Sequence, residues 1–286
     1  MNNLDSTSSS ELVSNSKIVF GDVGNNKERP IFSTDHLPKV DSYNNVRILQ
    51  AYLQAFELGI DNKDKGLESI LKILHLDALG GVNWKNIVYD FEGAELALNT
   101  NYSSGQFRNE LPTRLSFAYG AKGVVYDAPM PEKAIKIINT LDDFLNIQAN
   151  RLERVSDDYF DLAAMTSIVT FLAHPFLGGN KRVIRPLITN ILARGGLTGR
   201  WLEGDQGFIE SFKETWSNMV LDFQSYIGGE NADDIPNYDV RWLEYWQHKI
   251  KSGEILKDIN IKNFANKIKT APIYLESMSR KIAIAQ

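Results

Sequence analysis

The residues with the clearest chemical potential lie in one short run, from His174 to Arg185. A histidine precedes the glycine pair Gly178–Gly179, and an apolar-periodic segment that starts there carries Arg182 and Arg185. A helix that begins after such a turn presents unpaired backbone N–H groups and the positive end of its dipole, which favours phosphate. Guanidinium groups add permanently charged donors, and a histidine beside a phosphate can deprotonate an incoming hydroxyl. The run therefore predicts chemistry on a nucleotide or another phosphate compound.

The run from His174 to Arg185 resembles the signature of the Fic family, His-Pro-Phe-x-Asp/Glu-Gly-Asn-Gly/Lys-Arg-x-x-Arg. Most members of that family transfer AMP from ATP to a hydroxyl of a target protein. Lys181 corresponds to a variant seen in the Doc branch, which transfers the terminal phosphate instead. Gly178 departs from the pattern, because the family has an acid there. The resemblance covers roughly residues 100–200.

The resemblance implies a role for each matching residue. His174 would be the general base, and its ordinary pKa of about 6.5 suits that task at neutral pH. Arg182 would neutralise the phosphate chain and Arg185 the terminal phosphate. The residues that bind the nucleotide would be Gly178, Gly179, Asn180, Lys181, Arg182 and Arg185. Phe176 would anchor the turn in the core.

The absence of an acid at position 178 affects the metal binding that we expect. The family's acid is its magnesium ligand, and Mg²⁺ neutralises phosphate oxygens in most transfers of this kind. With Gly178 in its place we expect weaker Mg²⁺ binding, unless another acid such as Asp127 substitutes, and the metal ligands stay unknown. Lys181 could fill the place of the α-phosphate, or it could supply part of the charge that magnesium would have supplied.

A β-hairpin is predicted upstream of the motif. Two short strand-like runs, within 114–119 and 124–126, flank a glycine-containing loop, which is the pattern of a hairpin. The hairpin and the prolines after it resemble the flap of the Fic family, which docks the target segment by strand addition. By this resemblance the docking residues are Arg114, Leu115, Ser116, Val124, Val125 and Tyr126.

The fold class that the sequence predicts is all-α, a Fic-type helical bundle with a small β-hairpin flap. Four segments are expected: a flexible Ser/Asn-rich arm at 1–40, N-terminal helices at 41–99, the core with flap and motif at 100–200, and a C-terminal helical extension at 201–286. A nearly all-apolar helix at 161–172 should deliver His174 to its end. Pro186 could bend the next helix, and His75 is expected to be packed or exposed and not catalytic.

Composition narrows the function classes. The chain has 286 residues, a net charge of −5 and no cysteine. The acidic balance argues against a nucleic-acid-binding surface, and the missing cysteines exclude disulfides and Cys-ligated zinc. No apolar run reaches the length of a bilayer crossing. We expect a cytoplasmic protein, with translocation into a host cell as the alternative.

Three functions stay open at this point. The first is a protein adenylyltransferase that uses ATP and acts on a target protein bearing a hydroxyl side chain. The second is a Doc-like phosphotransferase, which Lys181 favours. The third is a catalytically degenerate protein-binding module, which Gly178 favours.

Overall fold

The structure is a computed structural model, and it describes residues 17–20, 45–61, 65–80, 83–91, 94–108, 114–119, 124–176, 178–229 and 232–273. Within these ranges the chain is mostly helical, which confirms the predicted fold class. The α-helices of the described ranges are α1 (Asn45–Asp61), α2 (Leu67–Leu79), α3 (Pro131–Ala149), α4 (Asp158–Ala173), α5 (Asn180–Arg194), α6 (Gln206–Ile227), α7 (Tyr238–Lys251) and α8 (Ile259–Thr270). None of them combines the length and apolarity that a bilayer crossing requires.

Two small sheets accompany the helices. The predicted hairpin is present as β4 (Arg114–Tyr119) paired antiparallel with β5 (Val124–Asp127). A second hairpin, β2 (Asn83–Phe91) and β3 (Ala94–Ser103), was not expected. The assignment of residues 41–99 to helices is therefore wrong beyond α2. Those residues alternate polar and apolar side chains over part of their length, which is the pattern of a strand.

The predicted N-terminal arm contributes a strand. Residues Lys17–Phe20 form β1, which pairs in parallel with β4, so the sheet order is β1-β4-β5. The remainder of the arm at 1–40 lies outside the described residues. One edge of the predicted flap is thus occupied by the protein's own chain.

The centre of the helical bundle is α4. Its residues from Leu162 to Ala173 are all buried, because a helix that is apolar on every side must be surrounded by protein. On one side it packs against α5, whose apolar stripe faces it as predicted. The C-terminal end of α4 and the N-terminal end of α5 therefore meet inside the molecule, and the turn between them carries the motif.

Close approach of α1 fixes the outer side of α5. A side chain at Gly59 would place a Cβ 2.6 Å from both the Ala193 Cβ and the Asn190 carbonyl oxygen, so only glycine allows this spacing. The Asn190 side-chain amide donates to the Ala55 carbonyl at 3.0 Å. Pro186 is accommodated within a continuous helix. Helix α5 ends at Arg194, before Gly195 and Gly196, and Gly196 has a positive φ of 78°.

The C-terminal extension completes the core. The aromatic stripe of α6 is buried as expected, with Trp216 and Phe223 at 0% exposure. Helix α8 buries Ile261, Phe264 and Ile268. Its lysines are not simply solvated, because Lys269 lies 2.6 Å from Asp157 and Lys262 pairs with Asp161. Within this extension, α6 and α8 pack against α4.

Candidate functional site

Two residues in the left-handed backbone region shape the turn between α4 and α5. His174 caps α4 with φ 47° and ψ 58°, and Gly179 precedes α5 with φ 78° and ψ 0°. The conformation of Gly179 is one that L side chains rarely adopt, and a Cβ there would lie 2.6 Å from the Leu79 Cδ1. The turn therefore requires glycine at 179. It brings His174 next to the N-terminus of α5.

Asn180 closes the turn on itself. Its Oδ1 accepts from the Phe176 backbone N–H at 3.2 Å, and its Nδ2 donates to the Phe176 carbonyl at 2.9 Å. These two bonds use the amide oxygen and one N–H of the Asn180 side chain to hold the turn. Phe176 is fully buried, which agrees with its predicted anchoring role.

His174 is held in a buried, neutral state. The residue is 7% exposed, and its ring contacts the Phe171 ring edge-to-face at 5.6 Å. Burial lowers the pKa of its imidazole to about 3, with Arg108 and Lys181 as further causes and a hydrogen bond to the Phe171 backbone as the opposing one. The imidazole therefore carries no charge at neutral pH, which is the form that can accept a proton.

Arg108 organises the backbone around His174. This arginine is 0% exposed. Its Nε donates to the His174 carbonyl at 2.7 Å, and its Nη2 donates to the carbonyls of Pro129 and Ala173. Its backbone N–H donates to the Pro175 carbonyl at 2.9 Å. One buried side chain thus caps the last carbonyls of α4, which a helix end leaves without intrahelical partners.

His75 performs a similar task at the other end of the turn. Its Nδ1 accepts the Gly105 N–H at 2.8 Å, and its Nε2 lies 2.9 Å from the Gly178 carbonyl. Since Nδ1 is an acceptor, the ring proton of the neutral imidazole is on Nε2, which donates to Gly178. The ring stacks on Phe176 at 3.8 Å, and burial lowers its pKa to about 4. The prediction that His75 is a packed residue is thus consistent with its position.

The α5 side of the turn is rich in positive charge. Lys181 has its Nζ 4.0 Å from the centre of the Tyr119 ring, and the Nζ of Lys213 lies 5.9 Å from the same ring. Although Lys181 is exposed as a residue, its ammonium sits between this ring and other cations. Desolvation, Lys213 and Arg185 together lower its pKa to about 8. Lys181 is therefore a cation held close to other cations.

A small cavity lies against α5. Its volume is about 170 Å³, and its charged lining consists of Lys181, Arg182, Arg185 and Glu203. Arg185 and Glu203 form an ion pair in which both side chains are mostly buried. The Tyr52 hydroxyl also donates to Glu203, at 3.4 Å. Within the described residues no carboxylate pairs with Lys181 or Arg182, so positive charge exceeds negative charge here.

The predicted docking residues differ in their accessibility. Val124 and Val125 are half-buried, and the Val125 carbonyl accepts from the Gln224 side chain at 2.9 Å. Tyr126 is 1% exposed. Its hydroxyl donates to the Leu172 carbonyl and accepts from the Trp242 indole N–H. The Tyr126 side chain therefore belongs to the core, and a docking role of this residue would be limited to its backbone. Arg114, Leu115 and Ser116 lie in β4, between β1 and β5.

Asp127 is engaged elsewhere and does not replace the missing acid. It is 2% exposed. Its Oδ2 accepts the Ala232 N–H at 2.7 Å, and its carbonyl accepts from the Tyr238 hydroxyl. The residue thus joins β5 to the segment between α6 and α7. Among the described residues no cluster of three His, Cys, Asp or Glu side chains could hold a metal ion.

Three residues of the site were missed by the sequence reasoning: His75, Arg108 and Glu203. His75 and Arg108 are far from the motif in the chain, with separations of 103 residues to Gly178 and 66 residues to His174. Arg108 lies between β3 and β4, and no pattern in the sequence around it indicates that its side chain reaches His174. Glu203 follows α5 and carries no local pattern that pairs it with Arg185.

Solved structures that are similar to this chain include two Fic proteins. No family model matches the chain, and no curated protein matches it. A Fic domain containing signaling protein from Bacteroides thetaiotaomicron is 20% identical, with a TM-score of 0.43 over 78% of this chain and 71% of that one. A Fic family protein from Desulfovibrio desulfuricans is 14% identical, with a TM-score of 0.36 over 73% of this chain and 53% of that one.

Proposed function

We propose that the chain is a Fic-type transferase that moves AMP from ATP to a hydroxyl side chain of a target protein. The observation that carries the proposal is the turn itself. It places the buried, neutral His174 directly before the left-handed Gly179 and the N-terminus of α5, and the first turns of α5 add Lys181, Arg182 and Arg185. A base and an anion site are thus joined by one short, internally bonded turn.

The reaction follows from these parts. His174 accepts the proton of the target hydroxyl as its oxygen attacks the α-phosphorus of ATP. The bond from that phosphorus to the bridging oxygen breaks, and pyrophosphate leaves. The new phosphodiester links AMP to the target, and the proton passes from His174 to solvent. The cations of α5 and its N-terminal N–H groups stabilise the negative charge that builds up on the phosphate oxygens.

The basicity of His174 depends on the donor in this proposal. An imidazole with a pKa of about 3 is a weak base, whereas a good general base has a pKa near the working pH. A bound polyphosphate would bring opposite charge close to the ring and would raise its pKa. The histidine would therefore be a stronger base when the donor is present than in the free protein.

Glu203 determines how the donor can enter. Its carboxylate pairs with Arg185, which is the residue expected to bind the terminal phosphate. A phosphate that binds Arg185 through the same Nη1 must therefore displace Glu203. The cavity of about 170 Å³ is smaller than the ~300–1,000 Å³ of ordinary ligand pockets. It suits a phosphate group, and the rest of the nucleotide would lie outside it.

Position-specific labelling of ATP tests the proposal. Incubation of the protein with cell lysate should move label from the α-phosphate to a protein hydroxyl. His174→Ala should remove most of this transfer, since loss of a general base costs about 10²–10⁴-fold. His248→Ala, on the exposed face of α7, is the matched control and should label as wild type does. Transfer of γ-label alone would favour the phosphotransferase, and transfer of neither label would favour the protein-binding module.

A further inference from the structure

The family resemblance implies Mg²⁺ at this site, but the groups around the turn do not fit a divalent cation. At position 178 there is no carboxylate, and the oxygen available there is the Gly178 carbonyl. That oxygen accepts from His75 Nε2 at 2.9 Å. The His75 N–H takes one of the two lone pairs of this oxygen, so the Gly178 carbonyl offers a cation much less than the family's carboxylate would.

The direction of the Gly178 carbonyl has a second consequence. In a planar trans peptide the carbonyl and the following N–H point in opposite directions. Since the Gly178 carbonyl faces His75, the N–H of Gly179 points away from it. A peptide held in this way presents a hydrogen-bond donor to the other side of the turn, and such donors bind anions rather than metals.

The nearby carboxylates also have partners within the protein. Asp127 accepts the Ala232 N–H at 2.7 Å, and Glu203 pairs with Arg185. Hard cations such as Mg²⁺ are bound through carboxylate and other oxygens. Releasing Glu203 to a metal would leave the mostly buried Arg185 without this carboxylate, so the two roles are in conflict.

The positive charges around α5 also disfavour a divalent cation. Lys181, Arg182 and Arg185 line one cavity, and Lys213 comes close enough to lower the pKa of Lys181. Like charges in a partly desolvated site repel a further cation. The same charges attract a polyphosphate, whose oxygens they can neutralise.

We propose that this site binds the phosphates of its nucleotide donor without a divalent metal ion. Lys181, beside Tyr119, supplies the charge that a metal would supply, and the Gly178–Gly179 peptide held by His75 supplies a backbone donor. This inference rests on the proposed function, because it concerns how the same donor is bound. It assigns to Lys181 a phosphate-binding role in place of a steric one.

The experiment measures ATP binding to the full chain by calorimetry, once with EDTA and once with Mg²⁺ in excess. We expect the two affinities for ATP to agree within about threefold, because the protein supplies no carboxylate ligand for Mg²⁺ at this site. In EDTA, Lys181→Gln should weaken binding by about tenfold, which is typical for loss of one charge-assisted contact. Lys249→Gln is the matched control, because Lys249 also lies over a tyrosine ring, Tyr245, at 4.9 Å. It should bind ATP as wild type does.

Each outcome decides a different point. If Mg²⁺ tightens ATP binding by tenfold or more, the metal-free inference is overturned and the proposed transferase function stands. Binding without metal that Lys181→Gln does not weaken would remove the assigned role of Lys181. No ATP binding in either condition would reject the proposed function and this inference together. Gly178→Asp gives a positive control for metal binding, since in a folded protein it should make Mg²⁺ tighten ATP binding by about tenfold.

Discussion

The two sides of the turn between α4 and α5 differ in how their polar groups are used. On the inner side, His75, Arg108 and Asn180 donate to or accept from the turn's own backbone. On the α5 side, Lys181 and Arg182 have no carboxylate partner among the described residues, and Arg185 has Glu203. The inner side is complete without a ligand, whereas the outer side holds excess positive charge. Substitutions on the inner side should therefore act on stability, and those on the outer side on anion binding.

The largest effect is expected for Arg108→Met. It leaves the carbonyls of Pro129, Ala173 and His174 without this donor, and each lost partner in a buried place costs about 1 kcal/mol or more. The free energy of unfolding should fall by about 3 kcal/mol, as measured by urea denaturation. Arg200→Met is the control. Arg200 also donates to two carbonyls, but these bonds are exposed, so the loss should be well under half as large. Equal losses would mean that Arg108 does not organise the turn.

The second prediction concerns pH and His75. Its pKa is about 4 in the folded protein and about 6.5 in the unfolded chain. As the pH falls below about 6.5, the unfolded chain therefore binds the proton first, and stability present above that pH is lost toward pH 4. Each such histidine contributes a slope of about 1.4 kcal/mol per pH unit. His174, with a pKa of about 3, steepens the pH dependence of stability in the same way, because the unfolded chain binds a second proton there.

The measurement is urea unfolding at a series of pH values through this range. In His75→Gln the slope should drop by about one proton, because one titrating group is gone. His248→Gln removes an exposed histidine of α7 and should leave the slope close to that of wild type. A wild-type slope that does not change when His75 is replaced would show that this imidazole is not kept neutral by the fold.

The smallest effect is expected for Glu203→Gln. Removing the carboxylate charge frees Arg185 for a phosphate. Because desolvation offsets much of the attraction in a mostly buried ion pair, we expect a gain of about 1 kcal/mol, or about fivefold in affinity. Calorimetry with pyrophosphate should show tighter binding. Glu210→Gln, an exposed change on α6, should not alter the affinity. Weaker binding in Glu203→Gln would indicate that Glu203 positions Arg185 and does not compete with the anion.

The parts of this site that the sequence predicts are local in the chain. Gly179 must be glycine because of its own backbone angle, and Phe176 lies in a run of apolar residues that has to be buried. The helix before His174 is apolar on all sides, so its burial follows from its composition. The hairpin is predicted because two strand-like runs lie close together.

The parts that the sequence does not predict depend on contacts across the fold. Arg108 and His75 can hold the turn because the segment after β3 lies next to it. Hydrophobic periodicity does not predict that contact. The parallel pairing of β1 with β4 joins residues that are far apart in the chain, such as Lys17 and Arg114. Tyr126 was expected to dock the target because of its position in the hairpin, but its side chain is buried and bonded to Trp242.

The measurement that tests the central claim most directly is the pKa of His174, followed by NMR of its ring C–H group with and without saturating ATP. The signal is assigned by its loss in His174→Ala, and the exposed His248 serves as an internal reference. Free protein should show a neutral imidazole down to acidic pH, and ATP should raise the pKa by about one unit or more, because the phosphates bring opposite charge near the ring. A His174 signal and pKa that stay unchanged at saturating ATP would contradict the account.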